Sequence, residues 1–388
     1  MRKLRFGYFI APVHRAGINP TAALERDLQF TEYIDHLGYD EVWFGEHHSA
    51  GSEIIASPEL FIAAASQRAK RITFGTGVLS LPYHNPLWAA DRIMFLDHLT
   101  RGRLIFGVGP GSLPSDSAMI GLNPTQTREL LETDVDIVLR LLRGETVTAK
   151  TETHELIGAR LQLAPYNPSG IPVTVAAVAS PTGPRLAGRH GLGLLSIGAT
   201  MSADGFDALA HHWNVMEERA ATFGSTVDRN RWSMVGPFHI ADTEEQAFHD
   251  VEYGIVEWAK YFAHVAAFPQ MAIQSGNTRE LIDFINTSGI GVIGTAEQAR
   301  AQVQRVWDQS GGFGSMLLMG HDWATPTATR RSAELFAEDV FPHFQGQAEP
   351  TLAAAAHAAE ARDAHAAQTI SAIEHMSRKY QDEISSTA

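Results

Sequence analysis

The sequence contains no cysteine among its 388 residues. Without a thiol, the chain cannot form a disulfide, use a thiolate nucleophile, hold zinc through sulfur or ligate an iron–sulfur cluster. These classes of site are excluded before any motif is considered.

Positive charge and long apolar runs are also scarce. Lysine and arginine total 30 against 44 aspartate and glutamate residues, which gives a formal net charge of −14, and the basic residues are scattered. We therefore expect neither a nucleic-acid partner nor an anionic membrane partner. Apolar runs stay well short of the roughly 18 residues of a membrane span, and the N-terminus enters a β-rich run directly. The sequence thus predicts a cytoplasmic protein.

The sequence does contain a repeated alternation of β-rich runs and helix-like stretches. Strands that alternate with helices predict right-handed βαβ units and a parallel sheet, and eight units are the number that a closed (β/α)8 barrel needs. The runs are Leu4–Ile10, Asp40–Gly45, Ile72–Leu79, Leu104–Val108, Pro172–Val178, Leu192–Ile197, Trp232–Ile240 and Ser315–Gly320. We predict an α/β fold: a TIM barrel with insertions over residues 1–348, followed by an alanine-rich extension over residues 349–388.

Three segments depart from the simple alternation. Residues 145–164 contain β-branched and alternating residues, which predict a hairpin. Residues 243–294 exceed one connecting helix, and the stretch Phe268–Asn277 is a candidate mobile lid. In the extension, apolar residues from Ile370 to Ile384 fall at helical spacing, which predicts a helix packed on the barrel or on a second subunit; a partly ordered tail is the alternative.

The loop after the second run carries Glu46-His47-His48. Active sites of such barrels are built from the loops after the strands, and neighbouring strand residues point to opposite faces. We expect at most one of the two histidines to face the barrel axis. A metal-dependent hydrolase barrel would carry His-x-His after the first run, where this chain has Ala11-Pro12-Val13-His14. The sequence therefore favours a histidine that contacts cofactor or substrate, without metal; a structural histidine is the alternative.

Three later loops indicate a flat, anionic ligand. The glycines of Gly75–Pro82 permit close approach of a ligand to the backbone, or alternatively form a β-bulge. Gly107–Gly111 lacks the third glycine of a dinucleotide fingerprint and is better interpreted as a thin loop beneath a ligand. Ser180-Pro-Thr-Gly-Pro184 opens a helix whose N-terminus favours phosphate, with Arg128 as a source of positive charge. An ordinary helix cap with a surface arginine is the alternative.

Several segments resemble those of the bacterial-luciferase-like flavin-dependent monooxygenases. They are Gly38–His48, Gly75–Pro86, Asp97–Gly111, Val292–Thr295 and Gly312–Trp323. The resemblance spans roughly residues 4–345. It implies a (β/α)8 barrel, usually dimeric, that binds reduced flavin supplied by a separate, transiently bound reductase, which uses NADH or NADPH.

The resemblance also implies roles for individual residues. His48 and His47 match a histidine pair beside the flavin, which would hydrogen-bond the peroxide or the flavin edge. Gly77 and Val78 match a non-proline cis peptide under the ring. The implied cofactor-binding residues are Gly77, Val78, Gly109, Pro110, Gly111, Arg128, Ala179, Ser180 and Thr182. Pro110 stands where luciferase has arginine, and Ala177-Val178 where it has glutamate–serine. These departures weaken the expectation of phosphate binding at these positions, and they leave both FMN and FAD open as the cofactor.

The chemistry implied by the family is oxygen transfer. Reduced flavin and O2 give a C4a-hydroperoxide, which delivers oxygen to an alkene or similar centre. Within the family, the chain is most similar to a branch that epoxidises monoterpene alkenes such as limonene and is associated with FAD, whereas the wider family mostly uses FMN. The candidate walls of an apolar substrate pocket are Phe9, Trp43, Phe44, Leu81, Tyr83, Phe238 and Trp323. The alternatives are a deazaflavin-dependent hydride-transfer enzyme, a flavin-binding protein without turnover and a metal-dependent hydrolase barrel.

Overall fold

The computed structural model describes residues 3–11, 13–178, 180–201, 208–266, 273 and 276–387. The chain forms two compact units. One comprises residues 4–341, and the other includes residues 342–387. The predicted lid, Phe268–Asn277, lies largely outside the described residues.

The first unit contains a closed barrel of eight parallel strands. The strands of this unit are β1 (Arg5–Ile10), β2 (Glu41–Phe44), β3 (Thr73–Thr76), β4 (Leu79–Ser80), β5 (Leu104–Gly109), β6 (Val147–Lys150), β7 (Glu155–Ala159), β8 (Val173–Ala177), β9 (Gly193–Ile197), β10 (Trp232–Ile240), β11 (Val292–Gly294) and β12 (Ser315–Met319). The barrel order is β12-β1-β2-β3-β5-β8-β9-β10, and the pairing of β10 with β12 closes it. Each of the predicted runs overlaps a barrel strand, which confirms the fold class.

Helices follow the strands and surround the barrel. They are α1 (Pro20–Leu37), α2 (Pro58–Ala65), α3 (Pro86–Thr100), α4 (Pro114–Met119), α5 (Pro124–Leu142), α6 (Thr182–His190), α7 (Ala208–Phe223), α8 (Glu244–Val251), α9 (Ile255–His264), α10 (Thr278–Ser288), α11 (Ala296–Ser310) and α12 (Pro326–Leu335). A further short helix, α13 (Phe341–Gln345), follows in the chain at the boundary between the two units. Asn19, Asn85 and Asn123 each accept a hydrogen bond from a first-turn backbone N–H, and proline follows each of them. Such caps contribute about 1 kcal/mol each, so the sequence fixes these helix starts locally.

The barrel interior is filled around Trp43 of β2, which is 1% exposed. Its indole N–H donates to Glu41 Oε2 at 3.0 Å, so the buried polar atom has a partner. A β-carbon at Gly75 would meet Trp43 Cδ2 at 2.2 Å, and one at Gly107 would meet Trp43 Cζ3 at 2.9 Å. The glycines that face this indole therefore leave the space that it occupies.

Two excursions leave the barrel. β6 and β7 pair antiparallel and form the predicted hairpin between β5 and β8. The long connection after β10 contains α8, α9 and α10. One face of α9 is buried in the core and includes Trp258, Tyr261 and Phe262, so this insertion is packed against the barrel mouth.

The second unit is helical, as predicted. Its main elements are α14 (Ala348–Glu360) and α15 (Arg362–Thr387). The apolar side chains of α15 are largely exposed, with Ile373 at 61% and Tyr380 at 60%. That these apolar side chains pack on the barrel or on a second subunit stays a prediction. Among the described residues, the helices are all too short or too polar to traverse a lipid bilayer.

Candidate active site

A cavity of about 370 Å3 lies at the carboxyl ends of the barrel strands. This is the end at which (β/α)8 barrels carry their active sites. Its lining consists of Phe9, Ala11, Gly45, Glu46, His47, Glu53, Gly77, Val78, Ser80, Pro110, Gly111, Ser112, Pro114, Pro124, Arg128, Leu131, Ala176, Ala177, Val178, Ser180, Thr182, Gly183, Ile197, Phe262 and Met319. The volume lies within the usual range for small-molecule and cofactor sites.

One wall of the cavity is thin backbone. The Gly77–Val78 peptide is cis, at the position that the resemblance indicates. A β-carbon at Gly109 would meet Val78 Cγ2 at 2.8 Å, and one at Gly111, where φ is +80°, would meet Tyr83 Oη at 2.1 Å. The loop after β5 can therefore lie this close only because it lacks side chains at these two positions. Such a wall suits a flat ring.

One end of the cavity is suited to an anion. Thr182 is the first residue of α6, a helix of nine residues, so backbone N–H groups point into this end. Arg128, from α5, lines the same end, together with Ser180. The expected serine cap differs in detail: Pro181, with helical φ and ψ, occupies the N-cap position, and Ser180 lies one residue before it. Ala179 lies outside the described residues.

Glu46 organises the first of two histidine–carboxylate clusters. Its Oε1 accepts from His48 Nε2 at 3.0 Å and from His84 Nε2 at 2.7 Å, and its Oε2 accepts from the Ser80 backbone N–H at 2.5 Å. Burial opposes ionisation, but these hydrogen bonds outweigh it and lower the pKa of Glu46 to about 2. The hydrogen bond to Glu46 in turn raises the pKa of His48. The cluster ties the end of β2 to the segment after β3.

His47 is the centre of the second cluster. Its Nδ1 lies 3.1 Å from Asp116 Oδ2, and its Nε2 lies 2.6 Å from Glu53 Oε2. Glu53 also accepts from the Tyr261 hydroxyl at 3.0 Å. Burial alone would lower the pKa of His47, but the two carboxylates raise it to about 10. At neutral pH the ring is therefore an imidazolium that donates through both nitrogens.

The two histidines face different surroundings. His47 lines the cavity, and its side chain is 11% exposed. His48, with a side chain that is 32% exposed, packs edge-on against the Tyr83 ring and lies beside Glu46, just outside the described lining. The side chains of these two neighbouring residues therefore diverge.

The structure places most of the predicted substrate walls elsewhere. Of the seven, Phe9 lines the cavity. Trp43 fills the barrel interior, and Phe44 points outward onto Phe61 of α2, because the two adjacent strand residues face opposite ways. The remaining four also lie away from this lining: Leu81 is buried in the turn directly after β4, Tyr83 lies behind Gly111, Phe238 packs on Phe336, and Trp323 stacks on His321.

Several residues of the site were missed by sequence reasoning. Glu53, Asp116, His84 and Tyr261 complete the two clusters. Asp116 carried a weak signal, since it follows the glycine loop after β5 in the first turn of α4. Glu53 and Tyr261 are separated by 208 residues, so their contact depends on the fold and carries no local pattern.

Comparisons with known proteins identify the family. The family described as luciferase-like monooxygenase matches residues 4–314. Limonene 1,2-monooxygenase of Rhodococcus erythropolis is 47% identical over 90% of this chain and 89% of its own length. The 4-hydroxyprotoasukamycin monooxygenase of Streptomyces nodosus subsp. asukaensis is 41% identical over 93% of this chain and 97% of its own length.

A solved structure agrees in fold. The oxygenating constituent of 3,6-diketocamphane monooxygenase from Pseudomonas putida, a type II Baeyer–Villiger monooxygenase in complex with FMN, has a TM-score of 0.74 and 23% identity. The similarity covers 88% of this chain and 98% of that one. The match over most of the barrel and the two close relatives show that the chain belongs to the luciferase-like monooxygenase family.

Proposed function

We propose that the chain is the oxygenating component of a two-component flavin-dependent monooxygenase. It takes reduced flavin from a separate reductase, uses O2 and oxygenates a small apolar substrate. One observation carries the proposal: a single cavity combines an anion-binding end, a thin glycine wall and buried histidine–carboxylate clusters. The metal-dependent hydrolase alternative is set aside by family membership, and structures of F420-dependent enzymes are only distantly similar.

The residues of the cavity fit a flavin. Arg128 and the first turn of α6 would hold its phosphate, and the glycine wall at Gly77 and Gly111 would lie along its ring. Reduced flavin, when bound, supplies the electrons that activate O2. FMN fits with a single phosphate at α6. The similarity to limonene 1,2-monooxygenase favours FAD instead, because we associate that branch of the family with FAD. The assay described below compares the two flavins directly.

The protein contributes position, shielding and fixed charge. Phe9, Leu131, Ile197, Phe262 and Met319 give the cavity apolar walls, which exclude water and suit an alkene. His47 holds a positive charge at the wall, and His48, with its raised pKa, is the group placed to hold or release a proton at the rim. In a site with little water, such preoriented donors interact strongly with developing negative charge.

We propose a monoterpene alkene such as limonene as the substrate and epoxidation as the reaction. The support is the apolar lining and the similarity to limonene 1,2-monooxygenase. The full chain, a flavin reductase, NADH or NADPH, flavin and O2 should together convert limonene, whereas the chain with NADH alone should be inactive. Running the assay with FMN and with FAD identifies the cofactor. Turnover without reductase would refute the two-component assignment, and turnover of other alkenes only would refute the substrate.

The same reconstituted assay tests the histidine at the rim. His48→Ala should bind flavin as the wild type does but release hydrogen peroxide in place of product, because the imidazole that Glu46 orients, and with it the proton that we propose His48 holds at the rim, is lost. Product and peroxide are measured together. Wild-type coupling in His48→Ala would make this histidine structural.

We further propose that the chain is a homodimer in which α2 and α3 form the contact. These two adjacent helices expose an apolar face: Leu60 is 70%, Trp88 57%, Phe95 57% and Leu99 40% exposed. Trp88, Phe95 and Leu99 lie at helical spacing on one side of α3. Contiguous exposed aromatic and aliphatic side chains of this size are typical of protein interfaces.

A further inference from the structure

The insertion after β10 reaches the histidine pair through one buried carboxylate. Tyr261 of α9 donates its hydroxyl to Glu53 Oε1 at 3.0 Å, and Glu53 Oε2 lies 2.6 Å from His47 Nε2. Glu53 is 4% exposed and Tyr261 6%. The three side chains form a continuous chain of contacts from the insertion to the cavity wall.

His47 is held from both sides. A carboxylate oxygen of Asp116, on α4, contacts Nδ1, and one of Glu53, on the loop after β2, contacts Nε2. A carboxylate lies at hydrogen-bonding distance from each ring nitrogen, so both nitrogens are placed to donate to a neighbouring oxygen. This arrangement fixes the plane of the ring as well as its charge.

We propose that Glu53 and Tyr261 are positioning residues for His47. Tyr261 orients the Glu53 carboxylate, and Glu53, together with Asp116, holds His47 as a doubly donating imidazolium at the cavity wall. The role rests on the proposed function only in that the cavity is taken to hold flavin and O2. Its consequence is a division of labour: His47 supplies a constant charge, and His48 is the histidine that exchanges a proton.

The charged and titratable groups around His47 agree with this role. They are Glu53 on the loop after β2, Asp116 on α4, His48 on its own loop and Tyr261 on α9, which acts through Glu53. Burial disfavours the charged ring, but Glu53 and Asp116 outweigh it and raise the pKa of His47 to about 10. Burial also raises the pKa of Tyr261, so its hydroxyl stays a donor at neutral pH.

The first experiment needs neither flavin nor substrate. The full chain is labelled with 15N-histidine, the ring signals of His47 are assigned by their loss in His47→Gln, and their shifts are followed with pH. We expect the wild-type ring to stay charged beyond pH 8. In Glu53→Gln, the pKa of His47 should fall by roughly 1–3 pH units, because one opposite charge at this distance is lost. Glu53→Asp, which keeps the charge, should restore most of the shift.

The outcomes separate clearly. A wild-type His47 that titrates near its ordinary value of 6.5, or one that Glu53→Gln leaves unchanged, overturns the proposal. If Glu53→Gln does not fold, the Glu53→Asp and wild-type titrations still decide whether the charged ring exists.

The second experiment isolates Tyr261. The complex with reduced flavin is mixed with O2 without substrate, and the release of hydrogen peroxide is followed. Tyr261→Phe should accelerate release by roughly two- to tenfold, the effect of one hydrogen bond. In a Glu53→Ala background the same change should add nothing. Tyr253→Phe, at an exposed tyrosine that packs on Arg15, is the matched control and should match the wild type.

A Tyr261→Phe effect of full size in the Glu53→Ala background would show that Tyr261 acts independently, and would refute its role through Glu53. Failure of the proposed function would give a different result. Every variant would release peroxide at the rate of free flavin, whereas the pKa of His47 would still be high in the wild type, lower in Glu53→Gln and mostly restored in Glu53→Asp.

Discussion

At the residue scale, the anion end of the cavity depends on one guanidinium. Arg128→Ala should weaken binding of reduced flavin roughly tenfold or more, because a hydrogen bond to a charged group contributes about 1.5–3 kcal/mol. Anaerobic titration measures the affinity. Arg185→Ala is the control, since Arg185 lies on α6 but pairs with Glu132 at 3.4 Å. Equal affinities for the wild type and Arg128→Ala would move the phosphate elsewhere.

His47 also makes the stability of the protein depend on pH. Its pKa is about 10 in the folded state against an ordinary 6.5. The stabilisation is therefore complete below about pH 6.5 and is lost as pH rises through 10, because over that window the unfolded chain binds fewer protons. Denaturant unfolding between pH 6.5 and 10 should show a steeper fall for the wild type than for His47→Gln. His48→Gln should keep most of the wild-type slope, and identical slopes for wild type and His47→Gln would contradict the assignment.

At the element scale, the position of α6 against the barrel determines the geometry of the anion-binding end of the cavity. A β-carbon at Gly183 would meet the Ala176 carbonyl oxygen of β8 at 2.3 Å. Gly183→Ala should therefore displace the first turn of α6, lower the melting temperature and weaken flavin binding together. Thermal unfolding and flavin titration measure the two effects. Wild-type affinity in Gly183→Ala would uncouple α6 from the site.

Elements were predictable where the code is local. Asparagine–proline pairs mark the starts of α1, α3 and α5, and β-branched runs mark the barrel strands, because caps and strand propensities act over a few residues. The glycine loops at Gly77 and Gly111 were found for the same reason. The substrate walls were not, since Trp43 and Phe44 lie within the strand, below the cavity, and the direction of each aromatic depends on the barrel. The Glu53–Tyr261 contact depends on tertiary structure in the same way.

At the scale of the whole molecule, the exposed face of α2 and α3 predicts the assembly. Phe95→Glu should turn a dimer into a monomer, because it places a charge in an apolar contact. Analytical ultracentrifugation measures the mass. Ile157→Glu makes the same change at a residue of β7 that is 82% exposed, and should leave the dimer intact. A wild-type monomer at micromolar concentration would refute the dimer itself.

The two ends of the cavity differ in how their charge is balanced. Arg128 and the first turn of α6 offer positive charge and N–H groups at one end, whereas at the other end the carboxylates of Glu46 and Glu53 are paired with histidine rings. A phosphorylated ligand that approaches the barrel mouth is therefore attracted mainly to the first end. The cavity thus has an intrinsic direction: it admits such a ligand with its phosphate toward α6 and its uncharged part toward the histidines, before any shape-specific contact forms.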